Sequence, residues 1–361
     1  TEFKYIFGTC IKPDDVLVEN SKPNGRNCVR VLFGIWKNFA WYQNLFDVKK
    51  CFDVWYESNN YGARDQNNYN DNYPANSIVT LGDSFIEGYG LNFEETLIYK
   101  LQKKTNRNFY NLGSSFSLGP LQYYLIYKNI GVKLPHDTVI VAFLPENDFS
   151  DNDLNEIKRF GEKRFRPYYN IEQYEEKYPI SYPKNAEKRE RIGPSYLKRF
   201  FNSQSLRSYT IRLYKNFIVS KFYKESPVED KTFNYKKPNL LQQKAAIHFL
   251  ERIYNLGKKN GIKSFIVFSI PTKEDFQAIS KNKYLRSELP YWEKRLKNIS
   301  KNNSDFKYID GLNILQRINS KEYSKLFHNC DGHWSDNGTS KYSELILEYL
   351  WKDPYGSSRE L

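Results

Sequence analysis

The chain has 361 residues, 40% of them hydrophobic, and a formal net charge of +13. That length accommodates one core with a large insertion or two small domains, and the charge favours anionic partners such as acidic glycans or phospholipid headgroups. No run of 18 apolar residues is present, which excludes an apolar membrane-spanning helix, and no nucleic-acid-binding signature accompanies the charge, so nucleic acid is not expected as a partner.

Aromatic residues reach 17% beside abundant Lys and Asn, which reads as the compositional bias of an AT-rich genome rather than a functional surface. Of the four cysteines, Cys10, Cys28 and Cys51 lie near the start and Cys330 near the end, with no C-x-x-C spacing. Two readings stay open: one or two disulfides in an extracytoplasmic (periplasmic or secreted) protein, or buried thiols.

Residues 1–75 read as an irregular N-terminal extension that ends in the loop "SNNYGARDQNNYNDNYPANS". A strand–helix rhythm then begins. Strands are expected at 77–81, 107–112, 137–144, 262–270 and 306–310, and helices at about 93–104, 120–130, 241–259, 287–301 and 337–351. Strands alternating with helices predict a mainly parallel sheet covered on both faces. Residues 151–239 break the rhythm, being dense in Lys, Arg, Tyr and Phe with Pro at 167, 179, 183 and 194. Within them Leu206, Tyr209, Leu213 and Phe217 share one helical face. The pattern predicts an amphipathic helix packed on the domain, with a basic helix lying on a membrane surface as the alternative. The catalytic domain is therefore expected over 76–150 and 240–361, with 151–239 as a basic, aromatic-rich cap.

The first strand of the rhythm runs into Gly82-Asp83-Ser84. A serine that cleaves esters needs a base for its proton and donors for the tetrahedral oxyanion. Ser84 stands at the carboxyl end of the strand, where its own N–H can face a reacting oxygen. The second strand ends at Asn111-Leu112-Gly113, which places a Gly113 amide at the same edge. The third ends in "LPEND", which brings the Asn147 side chain there. Near the C-terminus, in "CDGHWSDNG", His333 precedes a helix start, and Asp331 can hold one imidazole nitrogen while the other faces Ser84. His136, His248 and His328 have no comparable carboxylate neighbour. Taken alone, Gly-Asp-Ser also suits a helix N-cap; the ordered set of Gly113, Asn147, Asp331 and His333 favours the nucleophile.

With these residues the chain resembles the SGNH (GDSL-type) hydrolase and acyltransferase superfamily over roughly 77–150 and 240–352. "GDS" matches the nucleophile block at Ser84, "NLG" the oxyanion glycine at Gly113, "END" the oxyanion asparagine at Asn147, and "DGHW" the acid and base at Asp331 and His333. Two departures stand out: Cys330 occupies the place of the acid in the commoner D-x-x-H spacing, and Pro145 replaces the glycine of G-x-N-D. The D-x-H-W order looks like the alginate O-acetyltransferase-like branch, which usually carries it before the serine. "SNNYGARD" is similar to a segment of bacterial SGNH proteins from envelope polysaccharide loci, where Arg64 and Asp65 would pin the N-terminal region to the sheet or touch substrate.

The resemblance implies a three-layer α/β/α, flavodoxin-like fold. It also implies a serine esterase or O-acyltransferase acting on short-chain, acetyl-type esters of carbohydrate without metal or organic cofactor. The expected partners are an O-acylated glycan or other ester substrate, with an anionic polysaccharide or membrane surface meeting the basic insertion. The alternatives are a lipase or thioesterase for longer acyl chains, and a non-catalytic glycan-binding or assembly protein that has kept the fold.

Overall fold

The computed structural model describes residues 35–44, 47–69, 73–115, 118–155, 167–171, 180–181, 239–280, 289–316, 318–329 and 331–351. The first described element corrects the irregular reading of the N-terminal region. Strands β1 (Ile35–Asn44) and β2 (Asp47–Glu57) form an antiparallel hairpin with a bulge between Ala40 and Trp41. Its signal was faint because the two residues between Asn44 and Asp47 in sequence include no Gly or Pro, and because aromatic and Lys residues mix along both strands. Alternation is nonetheless real in β2, where Phe52, Val54 and Tyr56 are buried and Trp55 is exposed.

The central sheet contains β3 (Ile78–Leu81), β4 (Phe109–Asn111), β5 (Thr138–Phe143), β8 (Ser264–Ser269) and β9 (Phe306–Ile309). A small pair, β6 (Tyr168–Tyr169) and β7 (Ile180–Ser181), lies in the inserted region. The sheet order is β4-β3-β5-β8-β9, and every pairing in it is parallel. Such strands are covered on both faces, which is why β3 and β5 read as largely apolar, β-branched runs and are buried throughout.

The chain leaves β3 for β4 on one side and then returns to β5 on the other. The connections from the carboxyl ends of the paired strands β3 and β5 therefore lead to opposite sides of the sheet, to β4 and to β8, which marks the crevice in which doubly wound sheets bind ligands.

The helices are α1 (Ser84–Glu87), α2 (Leu97–Thr105), α3 (Pro120–Asn129), α4 (Leu240–Lys259), α5 (Lys273–Ser280), α6 (Tyr291–Asn302) and α7 (Asp336–Trp351). Helix α2 packs with α7, while α4 packs with both α3 and α6, giving the outer layers of an α/β/α sandwich. Local chemistry marks the ends. Asn239 and Gln242 cap α4 reciprocally, and Asn106 closes α2 in the left-handed conformation at φ 53°.

Helix α5 was not expected, although a cap announces it: the Thr272 N–H donates to Asp275 Oδ2 (2.8 Å) and the Asp275 N–H to Thr272 Oγ1 (3.3 Å). The helical face expected around Leu206–Phe217 lies outside the described residues, as do Cys10, Cys28 and Cys330. Among the described residues, no helix is long and apolar enough to cross a membrane.

Candidate active site

The turn that follows β3 is shaped by what it must fit between. A Cβ on Gly82 would lie 2.5 Å from Ile86 Cγ1 and 3.2 Å from the Ala142 Cβ, so only glycine lets α1 fold back this closely. Asp83 caps α1, its Oδ1 accepting the Phe85 N–H at 3.0 Å. Ser84 is thus both the first residue of α1 and a partly exposed side chain at the crevice. As the first residue of the helix it has no intrahelical acceptor for its N–H. Gly88, at φ 83°, ends the helix after one turn.

The base arrives on a tightly pinned loop. Phe327 and Trp334 form an antiparallel bridge, the His328 N–H donates to the His333 carbonyl (2.9 Å), and the Ser335 N–H to the Leu326 carbonyl (2.9 Å). Trp334 is buried beneath, stacked on Tyr342 at 4.5 Å between ring centroids and edge-on to Phe85 at 4.8 Å. The His333 ring is flanked by Tyr89 (4.5 Å) and Phe85 (4.9 Å).

On this platform Ser84 Oγ lies 2.6 Å from His333 Nε2. Asp331 Oδ1 accepts from both the His333 backbone N–H (2.8 Å) and His333 Nδ1. A carboxylate on Nδ1 selects the tautomer whose Nε2 is an acceptor for the serine proton. The His333 and Asp331 side chains are 25% and 28% exposed, so the pair opens to solvent. Burial acts to raise the Asp331 pKa, but the hydrogen bonds and charge of His333 outweigh it, and the carboxyl ends below its ordinary value.

Beneath the serine the electrostatics invert. Asp83 is 1% exposed and its Oδ2 has no hydrogen-bond partner among the described residues. Burial pushes its carboxyl up to about 6, opposed by the Phe85 amide and by His333. Asp148 is also raised by burial, with the charge of Asp83 adding to it. Its two oxygens accept from the Leu144 N–H (2.8 Å) and the Tyr123 hydroxyl (3.0 Å).

The oxyanion donors expected from sequence divide. Asn147 sits on the turn after β5, and its side chain makes no hydrogen bond among the described residues, with Oδ1 buried. The Gly113 N–H donates to Asn111 Oδ1 at 3.1 Å, closing a turn two residues long. Gly113 also leaves space: a Cβ would meet Ile86 at 2.6 Å and the Glu87 nitrogen at 2.7 Å.

The segment 58–69 holds this edge of the site. Arg64, 3% exposed, donates to the carbonyls of Glu87 (3.2 Å), Gly88 and Leu91, with the Tyr56 ring 3.7 Å away. The Tyr69 hydroxyl accepts the Asn111 N–H (2.7 Å) and donates to Asp65 Oδ2 (3.0 Å). Arg64 and Asp65 therefore pin the N-terminal segment to the sheet edge. Tyr56, Tyr69 and Asn111 were missed by sequence reasoning, since nothing local marks a Tyr hydroxyl as a bolt between distant loops.

The parallel β4-β3-β5-β8-β9 sheet, with Gly-Asp-Ser after β3 and Asp-x-His before α7, agrees with the three-layer α/β/α fold expected from the sequence. Among solved structures the chain is similar to a member of the lipolytic protein G-D-S-L family from Veillonella parvula, at 11% identity over 77% of this chain and 99% of that one (TM-score 0.39). It is likewise similar to a GDSL-like lipase from Bacteroides thetaiotaomicron, at 11% identity over 77% and 89% (TM-score 0.37). No protein-family model and no curated protein matches it.

Proposed function

We propose that the chain is a serine ester hydrolase or O-acyltransferase acting on short-chain, acetyl-type esters of carbohydrate. The observation that supports it is the 2.6 Å contact of Ser84 Oγ with His333 Nε2 while Asp331 occupies Nδ1. In this reading Ser84 Oγ attacks the ester carbonyl carbon and passes its proton to Nε2. Asp331 stabilises the imidazolium that forms. The Ser84 N–H and the Asn147 side-chain amide stabilise the tetrahedral oxyanion, each such donor being worth about 10²–10³ in rate. Collapse expels the alcohol, which takes the proton from Nε2 and leaves an acyl-serine. Water or a sugar hydroxyl then gives Nε2 its proton, attacks the acyl carbon and restores Ser84. The first acceptor makes the protein an esterase and the second a transferase. The chemistry needs no metal or organic cofactor.

The carbohydrate assignment rests on the motif resemblance, and the +13 charge suits an anionic glycan or surface. An extracytoplasmic site of action is part of the same reading. The test is cleavage of p-nitrophenyl esters of increasing acyl length by wild type and Ser84→Ala, together with fluorophosphonate labelling. Acetyl-selective release, lost with labelling in Ser84→Ala, is the expected result. Preference for long chains would move the assignment to a lipase. No release and no label would leave a binding protein.

A further inference from the structure

We propose that Tyr89 is a positioning residue for the His333 imidazole, and that the β1–β2 hairpin serves the site by holding Tyr89 in place through Phe52. The catalytic part of this rests on the reading of Ser84, Asp331 and His333 above. The imidazole is tied at two points in its own plane, Nε2 at Ser84 Oγ (2.6 Å) and Nδ1 at Asp331. Two such bonds do little against tilting of the ring about the line that joins them, so its plane is set by what packs against it. Two rings do this. Phe85 lies 4.9 Å away between centroids at a tilt of 35°, and Tyr89 lies 4.5 Å away at 41°.

The two rings are fixed by different parts of the molecule. Phe85 belongs to the main core, where Trp334 meets it edge-on at 4.8 Å. Tyr89 is partly exposed and packs on a second, separate cluster formed by Phe52, Val54 and Tyr56 of β2. The Phe52 ring meets Tyr89 edge-on, at 5.4 Å and 82°, an arrangement that aromatic pairs favour. The same ring lies 5.4 Å from that of His328, on the loop that carries His333. Phe52 therefore packs on both the segment that follows the nucleophile and the loop that brings the base.

The backbone around Tyr89 is built for this presentation. Gly88 and Gly90, on either side, have φ of 83° and 76°, a region that residues with a Cβ rarely adopt. At Gly90 a Cβ would also lie 2.9 Å from the Phe52 ring and 3.0 Å from His328 Nε2. The Tyr56 hydroxyl accepts the Gly90 N–H (2.8 Å), the Tyr89 N–H donates to the Ser84 carbonyl (2.9 Å), and Arg64 donates to the carbonyls of Gly88 and Leu91. Ending α1 uses the first of these glycines. The second lets the chain pass close under the hairpin, with Tyr89 between Phe52 and the imidazole.

Tyr89→Ala removes the ring from a partly exposed position, so the melting temperature should stay close to that of wild type while kcat on p-nitrophenyl acetate falls about ten- to a hundredfold with KM little changed. Tyr89→Phe keeps the ring and should recover the rate to within about threefold of wild type. Phe52→Leu keeps the apolar volume without the ring. It should slow wild type about three- to tenfold and leave Tyr89→Ala no slower, because both residues act through one contact. The proton on His333 Nδ1, assigned in NMR spectra by its absence from His333→Gln, should be sharp in wild type and Tyr89→Phe and broadened in Tyr89→Ala.

A Tyr89→Ala enzyme within about threefold of wild type would overturn the proposal, as would a melting temperature that falls together with kcat. Tyr89→Phe as slow as Tyr89→Ala would overturn it in favour of the hydroxyl. Equal losses from Phe52→Leu in both backgrounds would sever the hairpin from the site. If wild type neither cleaves esters nor labels at Ser84, the functional reading fails, and the His333 proton signal alone decides whether Tyr89 positions the imidazole.

Discussion

Two aspartates flank the Ser84–His333 contact, and their carboxyl pKa values are displaced in opposite directions. Asp331 lies in a partly exposed loop, receives two hydrogen bonds from His333 and stays below its ordinary pKa. Asp83 lies under the serine with one oxygen unpartnered and is pushed up to about 6. The difference is one of solvation and donors rather than distance from the site. At the crevice mouth a fixed negative charge is available to an imidazolium. On the floor burial disfavours the charged carboxylates, and Asp83, Asp148 and the Tyr123 hydroxyl serve as scaffold for the turns after β3 and β5.

The sharpest way to break this contrast is to remove the charge at the mouth. Asp331→Asn should keep the fold but cost about 10⁴ in kcat on p-nitrophenyl acetate, because the neutral amide no longer selects the tautomer or stabilises the imidazolium. A loss below tenfold would transfer that role to Asp83. The next effect is on the floor side. Asn147→Ala deletes a side-chain amide that makes no hydrogen bond among the described residues, so kcat should fall about 10²–10³ with little change in melting temperature.

The smallest effect sharpens the contrast by titration. Because the folded pKa of Asp83 is raised from 3.8 to about 6, its stabilising contribution is complete below pH 3.8 and is lost as pH rises through 6. Between pH 4 and 7, wild type should lose up to about 3 kcal/mol of unfolding free energy relative to Asp83→Asn, measured by denaturant titration. A difference independent of pH would show that Asp83 is ionised in the fold.

The parts of this molecule that could be read from its sequence are those whose information is local. Strand β3 announces itself through four consecutive buried residues ending at Gly82, and α7 through its periodicity after the Ser335 cap. The hairpin β1–β2 was not legible, because its pairing is set by cross-strand partners and no Gly or Pro separates the two strands in sequence. Gly113 shows the same limit at atomic scale. Its place at a strand end was evident, whereas the capture of its N–H by Asn111 depends on a side-chain rotamer.

By itself the sequence determined the alternating strand–helix order and the residue types at each strand end, because periodicity, caps and glycines act within a few residues. Only the tertiary structure decided that Ser84 and His333, 249 residues apart, meet at 2.6 Å, and that Arg64 braces the helix between them and the N-terminal hairpin. Those relations follow from how a twisted parallel sheet brings remote loops to one edge, and no local rule encodes the ångström at which they meet.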